Sequence, residues 1–210
     1  GRDPAEITLV AVSKTHPPAL LRRAIEAGAS DLGENRVQEA DAKIEEVGRR
    51  AARWHLIGHL QANKARRAVT LFDVIHSVDS VSLAGRLDRL CGEEGRASLP
   101  VMIQVDLAGE ATKSGASEDD LPELISAVKG SARLRLIGLM TLPPFFEEAE
   151  RARPYFRRLR ELRDLFGERG DFVDGHGALS MGMSNDYEVA IEEGATMVRV
   201  GTAIFGERRA

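Results

Sequence analysis

The chain has 210 residues, 43% of them hydrophobic and 30% charged, with a formal net charge of -4. That length can bury one full core, and the composition is that of an ordinary globular protein rather than a disordered or fibrous one. The acidic balance and scarce aromatics disfavour a nucleic-acid partner, no apolar run reaches membrane-span length, and the lone Cys91 excludes a disulfide framework or a cysteine-based zinc site.

Apolar β-like runs alternate with amphipathic helical runs along the whole chain. Residues 7–13 form an apolar, β-branched run that ends at Lys14 and is bounded by Pro17-Pro18. This is the pattern of a strand buried on both faces, with a proline opening the next helix. Leu20, Leu21, Ala24 and Ile25 give that helix its spacing. Asp31-Leu32-Gly33 is a short second strand, and Val37, Ala40, Ile44 and Val47 return to helical spacing. A third strand over 54–58 is followed by a short helix over 64–69. A fourth strand, Val74–Val78, precedes a helix carrying Leu83, Leu87 and Leu90, which also packs Cys91 as a core thiol. A fifth strand over 101–107 leads to a helix marked by Leu121, Leu124, Ile125 and Val128, with Ser117 and Asp120 as its capping box. A sixth over 134–142 leads to a long helix with Tyr155, Phe156, Leu159, Leu162 and Phe166. A seventh covers 178–183, a helix 187–193, and Met197–Val200 is the eighth strand.

Eight strands, each feeding a helix, predict a parallel sheet. With eight units and no long gap, a closed (β/α)₈ TIM barrel fits better than an open doubly wound sheet. No low-complexity segment or linker divides the chain, so residues 1–210 are expected to form one domain. Two turns look alike, Ala24-Ile25-Glu26-Ala27-Gly28-Ala29-Ser30 and Ala190-Ile191-Glu192-Glu193-Gly194-Ala195-Thr196, and in each a glycine suits the helix end.

Barrel chemistry gathers where strands end. Lys14 ends the first strand, where partial desolvation favours a neutral amine able to act as a Schiff-base nucleophile, the alternative being a lysine that snorkels outward. Ser180-Met181-Gly182-Met183-Ser184 and Arg199-Val200-Gly201-Thr202 end strands seven and eight. Small residues and hydroxyls there let backbone N–H groups converge on a phosphate, although tight turns with capping serines have the same composition. Arg199 could face a pyridine nitrogen from inside the barrel or form a salt bridge at its rim. His55 and His76 read as satisfied core residues and His176 as a loop residue. No paired histidine spacing suggests a metal, and no Ser-His-Asp arrangement stands out. The arginines of residues 151–163 alternate with acids, as on a solvated, ion-paired helix face. A lysine and a phosphate in one barrel leave two chemistries open, a Schiff-base aldolase and a pyridoxal phosphate (PLP) site.

The chain resembles the YggS/PROSC family of pyridoxal phosphate homeostasis proteins. The matching stretches, in order, are Leu9-Val10-Ala11-Val12-Ser13-Lys14-Thr15, Gly33-Glu34-Asn35, His55-Leu56-Ile57-Gly58 with Leu60-Gln61-Ala62-Asn63-Lys64, Lys113-Ser114-Gly115, Gly138-Leu139-Met140, Leu179-Ser180-Met181-Gly182-Met183-Ser184 and Arg199-Val200-Gly201-Thr202-Ala203-Ile204-Phe205-Gly206. The resemblance implies a fold-type III PLP barrel similar to the N-terminal domain of alanine racemase. It implies that Lys14 carries pyridoxal 5'-phosphate as a Schiff base. Ser184, Gly201 and Thr202 would hold the phosphate, Arg199 would face the pyridine nitrogen, and Asn35 would line the cofactor. The chain departs from the family pattern at Arg36, His59 and Asp106, where an aromatic, a proline and an asparagine are usual.

The function so implied is intracellular PLP (vitamin B6) homeostasis in the cytoplasm by a monomeric carrier without established turnover, with PLP-dependent apo-enzymes as candidate recipients. The alternative is a PLP-dependent amino-acid racemase. A racemase needs a second acid/base, which its relatives draw from a further β domain, and the chain is expected to lack both that domain and the family's N-terminal helix. Tyr155 and Tyr187 fall on predicted helices. No membrane, nucleic acid, metal or catalytic residue is expected.

Overall fold

The computed structural model describes residues 1–109 and 114–206. Eight parallel strands close into a barrel in sequence order: β1 (Thr8–Val12), β2 (Asp31–Glu34), β3 (Arg53–Leu56), β4 (Val74–Val78), β5 (Leu99–Val105), β6 (Leu134–Thr141), β7 (Ala178–Ser180) and β8 (Met197–Val200). Closure runs through β1 and β8, in register from Thr8 opposite Met197 to Ala11 opposite Val200. The helices are α1 (Pro18–Glu26), α2 (Val37–Val47), α3 (Ala65–Leu71), α4 (Val81–Glu93), α5 (Leu121–Lys129), α6 (Arg153–Glu168), α7 (Tyr187–Glu192) and α8 (Thr202–Phe205). The (β/α)₈ expectation holds, with differences at element ends.

Pro18 occupies the first turn of α1, where its missing N–H costs nothing. Gly28 and Gly194 end α1 and α7 alike, with φ of +103° and +99° and the following amides bonded back to Ala24 O and Ala190 O. Three expectations need correction. The seventh strand stops at Ser180, because Gly182 turns the chain away at φ +91°. The fifth starts two residues early, since Leu99 and Pro100 already pair with Leu134 and Arg135. Ser117 and Asp120 do bond, but Asp120 takes the Ser117 hydroxyl rather than its amide, and α5 starts only at Leu121. A short helix, α8, also follows β8 directly.

Side-chain alternation divides the buried residues between two places. Leu32, Trp54, Leu56, Ile75, Ile103, Leu139, Leu179 and Val198 point out against the helices and belong to the large outer core. Val74, Met102, Met140 and Met197 form a smaller cluster within the barrel. Several other inward positions are occupied by polar groups, among them Asp31, His55, His76, Gln104, Ser180 and Arg199, all buried. Barrel interiors are ordinarily filled by branched aliphatic side chains, so this polar content needs its own hydrogen bonds. Those bonds build the site.

Candidate functional site

Lys14 lies two residues beyond β1, in a turn, and is half-buried. Ser13 N donates to Gly33 O at 3.0 Å, and Thr15 takes a φ of +67°, which is costly for a β-branched residue. An ionic cluster holds both residues that flank Lys14. Ser13 Oγ donates to Glu34 Oε1 at 2.6 Å, and Lys43 Nζ donates to Ser13 O at 2.6 Å. The same Nζ reaches Glu34 Oε1 at 2.8 Å and Glu39 Oε1 at 2.7 Å, and Glu39 accepts the Thr15 amide. Burial pushes the Glu34 carboxyl above its ordinary range, against the pull of Lys43 and Ser13. Three charged side chains therefore fix the backbone on either side of the amine.

The loops after β7 and β8 meet at one hydroxyl. Ser184 Oγ accepts Gly201 N at 3.2 Å and Ala203 N at 3.4 Å. Asp186 Oδ1 caps Met183 N at 2.6 Å, and Arg199 N bonds to Gly182 O, so the β7 loop is tied to β8 along its length. A Cβ on Gly201 would lie 3.3 Å from Val12 O, and the rings of His16 and Phe205 stack with centroids 4.9 Å apart. The turn bearing Lys14 thus packs beside the loop that holds Gly201 and Thr202, and Thr202 opens α8. On the other side β2 delivers Asn35, whose carbonyl oxygen would stand 2.4 Å from a Cβ on Gly58. Lys14, Asn35, Ser184, Gly201 and Thr202 all follow strand ends at one rim of the barrel.

Arg199 points inward and is 2% exposed. Its Nη1 donates to Ser180 Oγ at 2.7 Å and its Nη2 to Thr141 O at 2.8 Å. The rim salt bridge that the sequence left open does not form among the described residues. Burial lowers the guanidinium pKa to about 10, with Asp186 opposing. From Ser180 the bonds continue through the barrel: Ser180 Oγ to His76 Nδ1 at 2.9 Å, His76 Nε2 to His55 Nδ1 at 2.8 Å, and His55 Nε2 to Asp31 Oδ1 at 2.8 Å.

His55 and His76 are the satisfied core residues expected, but their contact with each other was invisible in sequence. The Glu34–Lys43–Glu39 cluster was missed too, and the four-residue spacing of Glu39 and Lys43 on one helix face was its only signal. Other candidates stand apart. His59 pairs with Asp79 at 3.2 Å, and Asp106 caps the amides of Ala108 and Gly109 in its own loop. Arg36 precedes α2 and is exposed, and His176 sits in an exposed loop. Cys91 is buried, and burial raises its thiol pKa. The arginines of α6 pair with acids, as Arg153 does with Glu150 and Glu192 and Arg158 with Glu118. Lys113 lies outside the described residues. Among the described residues, no helix is long and apolar enough to cross a membrane.

Residues 4–209 match the model of the alanine racemase N-terminal domain. The pyridoxal phosphate homeostasis protein of Pseudomonas aeruginosa is 48% identical over 99% of this chain and 87% of its own length. The structure of PipY from Synechococcus elongatus with PLP bound is 41% identical and superposes with a TM-score of 0.88, covering 98% of this chain and 95% of that one. Alanine racemase from Corynebacterium glutamicum shares the fold alone, at 18% identity and a TM-score of 0.72 over 98% of this chain and 57% of that one. Together with the barrel and its strand-end residues, these likenesses decide the family: the chain belongs to the pyridoxal phosphate homeostasis proteins, within the alanine racemase N-terminal-domain fold.

Proposed function

We propose that this chain holds pyridoxal 5'-phosphate at Lys14 and serves PLP homeostasis as a carrier rather than as an enzyme. The observation that carries the reading is the adjacency of two segments: the Lys14 turn packs against the loop in which Ser184, Gly201 and Ala203 bring one hydroxyl and two amides together.

The residues fit the group. A phosphate suits convergent N–H and O–H donors at strand ends, and Ser184, Gly201 and Thr202 supply them. When bound, PLP supplies an aldehyde able to condense with a primary amine and a ring able to withdraw electrons. Lys14 contributes the amine, and the Glu34–Lys43–Glu39 cluster keeps its turn in place. Asn35 lines the cofactor from the end of β2. Arg199, a permanent cation with donors only, keeps a proton off the ring nitrogen and so weakens electron withdrawal. That weakness favours storage over turnover.

The same reading separates the chain from a racemase. Tyr155 stacks on Phe146, and the Tyr187 hydroxyl bonds to Glu188, so each described tyrosine is engaged elsewhere. We take residues 1–210 as one barrel domain acting as a cytoplasmic monomer, with PLP-dependent apo-enzymes as recipients. The test is an absorbance spectrum of protein loaded with PLP, before and after borohydride reduction, followed by peptide mapping. A pyridoxyl group on Lys14 is expected, and one on any other lysine overturns the site. Steady turnover of an added amino acid, abolished by Lys14→Ala, would overturn the carrier role.

A further inference from the structure

The barrel interior contains one unbroken hydrogen-bonded chain that runs from β2 to β8. Asp31 opens β2, and its side chain is 12% exposed; His55, next along, is fully buried. His76 and Ser180 are also fully buried. Arg199 ends the chain and makes no direct ion pair among the described residues; it donates to Ser180 Oγ and to Thr141 O. A buried cation without a carboxylate beside it is costly unless dipoles compensate it.

The proton assignment follows from the chemistry of the two ends. A guanidinium can only donate, so Ser180 Oγ must accept from Arg199. An ionised carboxylate can only accept. Burial opposes ionisation of Asp31, but hydrogen bonds from His55 and Ser30 outweigh it and hold its pKa below the ordinary value. His55 must therefore donate through Nε2. An uncharged His55 then accepts at Nδ1, so His76 donates through Nε2. Burial keeps the His76 pKa well below 6.5, so its Nδ1 accepts, and Ser180 gives its hydroxyl proton to that nitrogen. With both rings uncharged, one assignment alone satisfies all four bonds. Every dipole in it points the same way, from the cation to the anion.

We infer that Asp31, His55 and His76 are positioning residues for Arg199: the Asp31 carboxylate fixes the direction of the chain, so that Ser180 gives its one proton to His76 and keeps its lone pairs for the guanidinium. The carboxylate acts as a remote counter-charge, transmitted by three protonated groups, and it sets the orientation and field of the cation that the Proposed function places against the ring nitrogen. The inference rests on that reading for its consequence but not for its measurement.

The test uses protein without cofactor, labelled with ¹⁵N in histidine and arginine, at pH 7. Long-range proton–nitrogen correlation is expected to show Nε2–H and a bare Nδ1 on both His55 and His76. A proton on Nδ1 of either ring, or a cationic ring, overturns the inference, and this reading needs no variant. Asp31→Ala is expected to release His76 into exchange between tautomers and to broaden the Arg199 Nη signals measurably. Ser180→Ala should broaden those Nη signals equally, and the double variant no further. A structural role for Asp31 would lower stability yet leave the His76 tautomer as in the wild type, and that result overturns the proposal. Uptake of PLP is scored separately: a protein with the expected tautomers that binds no PLP sinks the Proposed function alone. A protein that binds PLP at Lys14 but has other tautomers sinks only this inference.

Discussion

Lys43 Nζ lies 2.8 Å from Glu34 Oε1 and 2.6 Å from the carbonyl oxygen of Ser13, one residue before Lys14. Both side chains are almost fully buried, and Glu34 Oε2 has no hydrogen-bond partner among the described residues. A cluster built for stability alone would satisfy both carboxylate oxygens or use apolar groups. This one trades stability for a fixed turn at the amine.

Lys43→Met should therefore strand Glu34 as a buried, unpaired carboxylate and cost about 3–5 kcal/mol. Lys43→Met/Glu34→Gln removes the charge along with its partner and should recover a large part of that loss. Urea unfolding of the two single variants and the double reads the coupling directly. Additive losses would show that the pair is not coupled.

Ser184→Ala tests the loop junction. The hydroxyl accepts both Gly201 N and Ala203 N, so on the proposed reading its loss removes a donor to the phosphate and loosens two more. A hydrogen bond to a charged group contributes about 1.5–3 kcal/mol. Affinity for PLP should fall about ten- to a hundredfold in a spectrophotometric titration. The borohydride-trapped product should remain on Lys14.

The barrel could be read from sequence because strands of a closed parallel barrel are covered on one face by helices and on the other by the interior. Most appeared as apolar runs, and the glycines at 28 and 194 ended their helices as the sequence predicts. Strand ends were less legible, as at β7, where Met181 continues the apolar pattern but Gly182 turns the backbone. Lys14, Ser184, Arg199, Gly201 and Thr202 could be picked out as candidates because strand ends in this fold are a known place to look. The interior chain could not. Its bonds join residues 19 to 104 positions apart, and His55 and His76 become neighbours only when β3 pairs with β4. Nothing in their local sequence distinguishes them from ordinary core histidines.

Gly58→Ala examines how Asn35 is seated. A Cβ at this position would stand 2.4 Å from Asn35 O and 2.8 Å from its Cα, a clash with backbone that no rotamer relieves. Overpacking of this kind costs about 1–3 kcal/mol. Asn35 must also shift, so thermal stability and PLP affinity should fall together. Gly85→Ala is the control: it lies within α4 with nothing inside 4 Å of its Cβ, and it should stabilise the helix by about 0.5–1 kcal/mol with affinity unchanged.

His76→Gln isolates the pH dependence of the interior. Burial holds the folded His76 pKa well below 6.5, and the Arg199 and Arg53 charges add to the depression. Below pH 6.5 the unfolded chain takes up a proton that the folded chain refuses, so stability falls as pH falls. The contribution of His76 is present in full above pH 6.5 and is lost at up to about 1.4 kcal/mol per pH unit until the folded pKa is reached. Glu34, raised by burial, works in the opposite sense above its unfolded pKa, while Asp31, Asp73 and Glu193, held low by their partners, lose stability only at more acid pH. The difference between wild type and His76→Gln cancels these shared terms. Urea unfolding between pH 5 and 7.5 should give the wild type a slope steeper by up to about 1.4 kcal/mol per unit than the variant. Equal slopes would mean that His76 takes up a proton as readily folded as unfolded, which a buried ring bonded to His55 and Ser180 should not do.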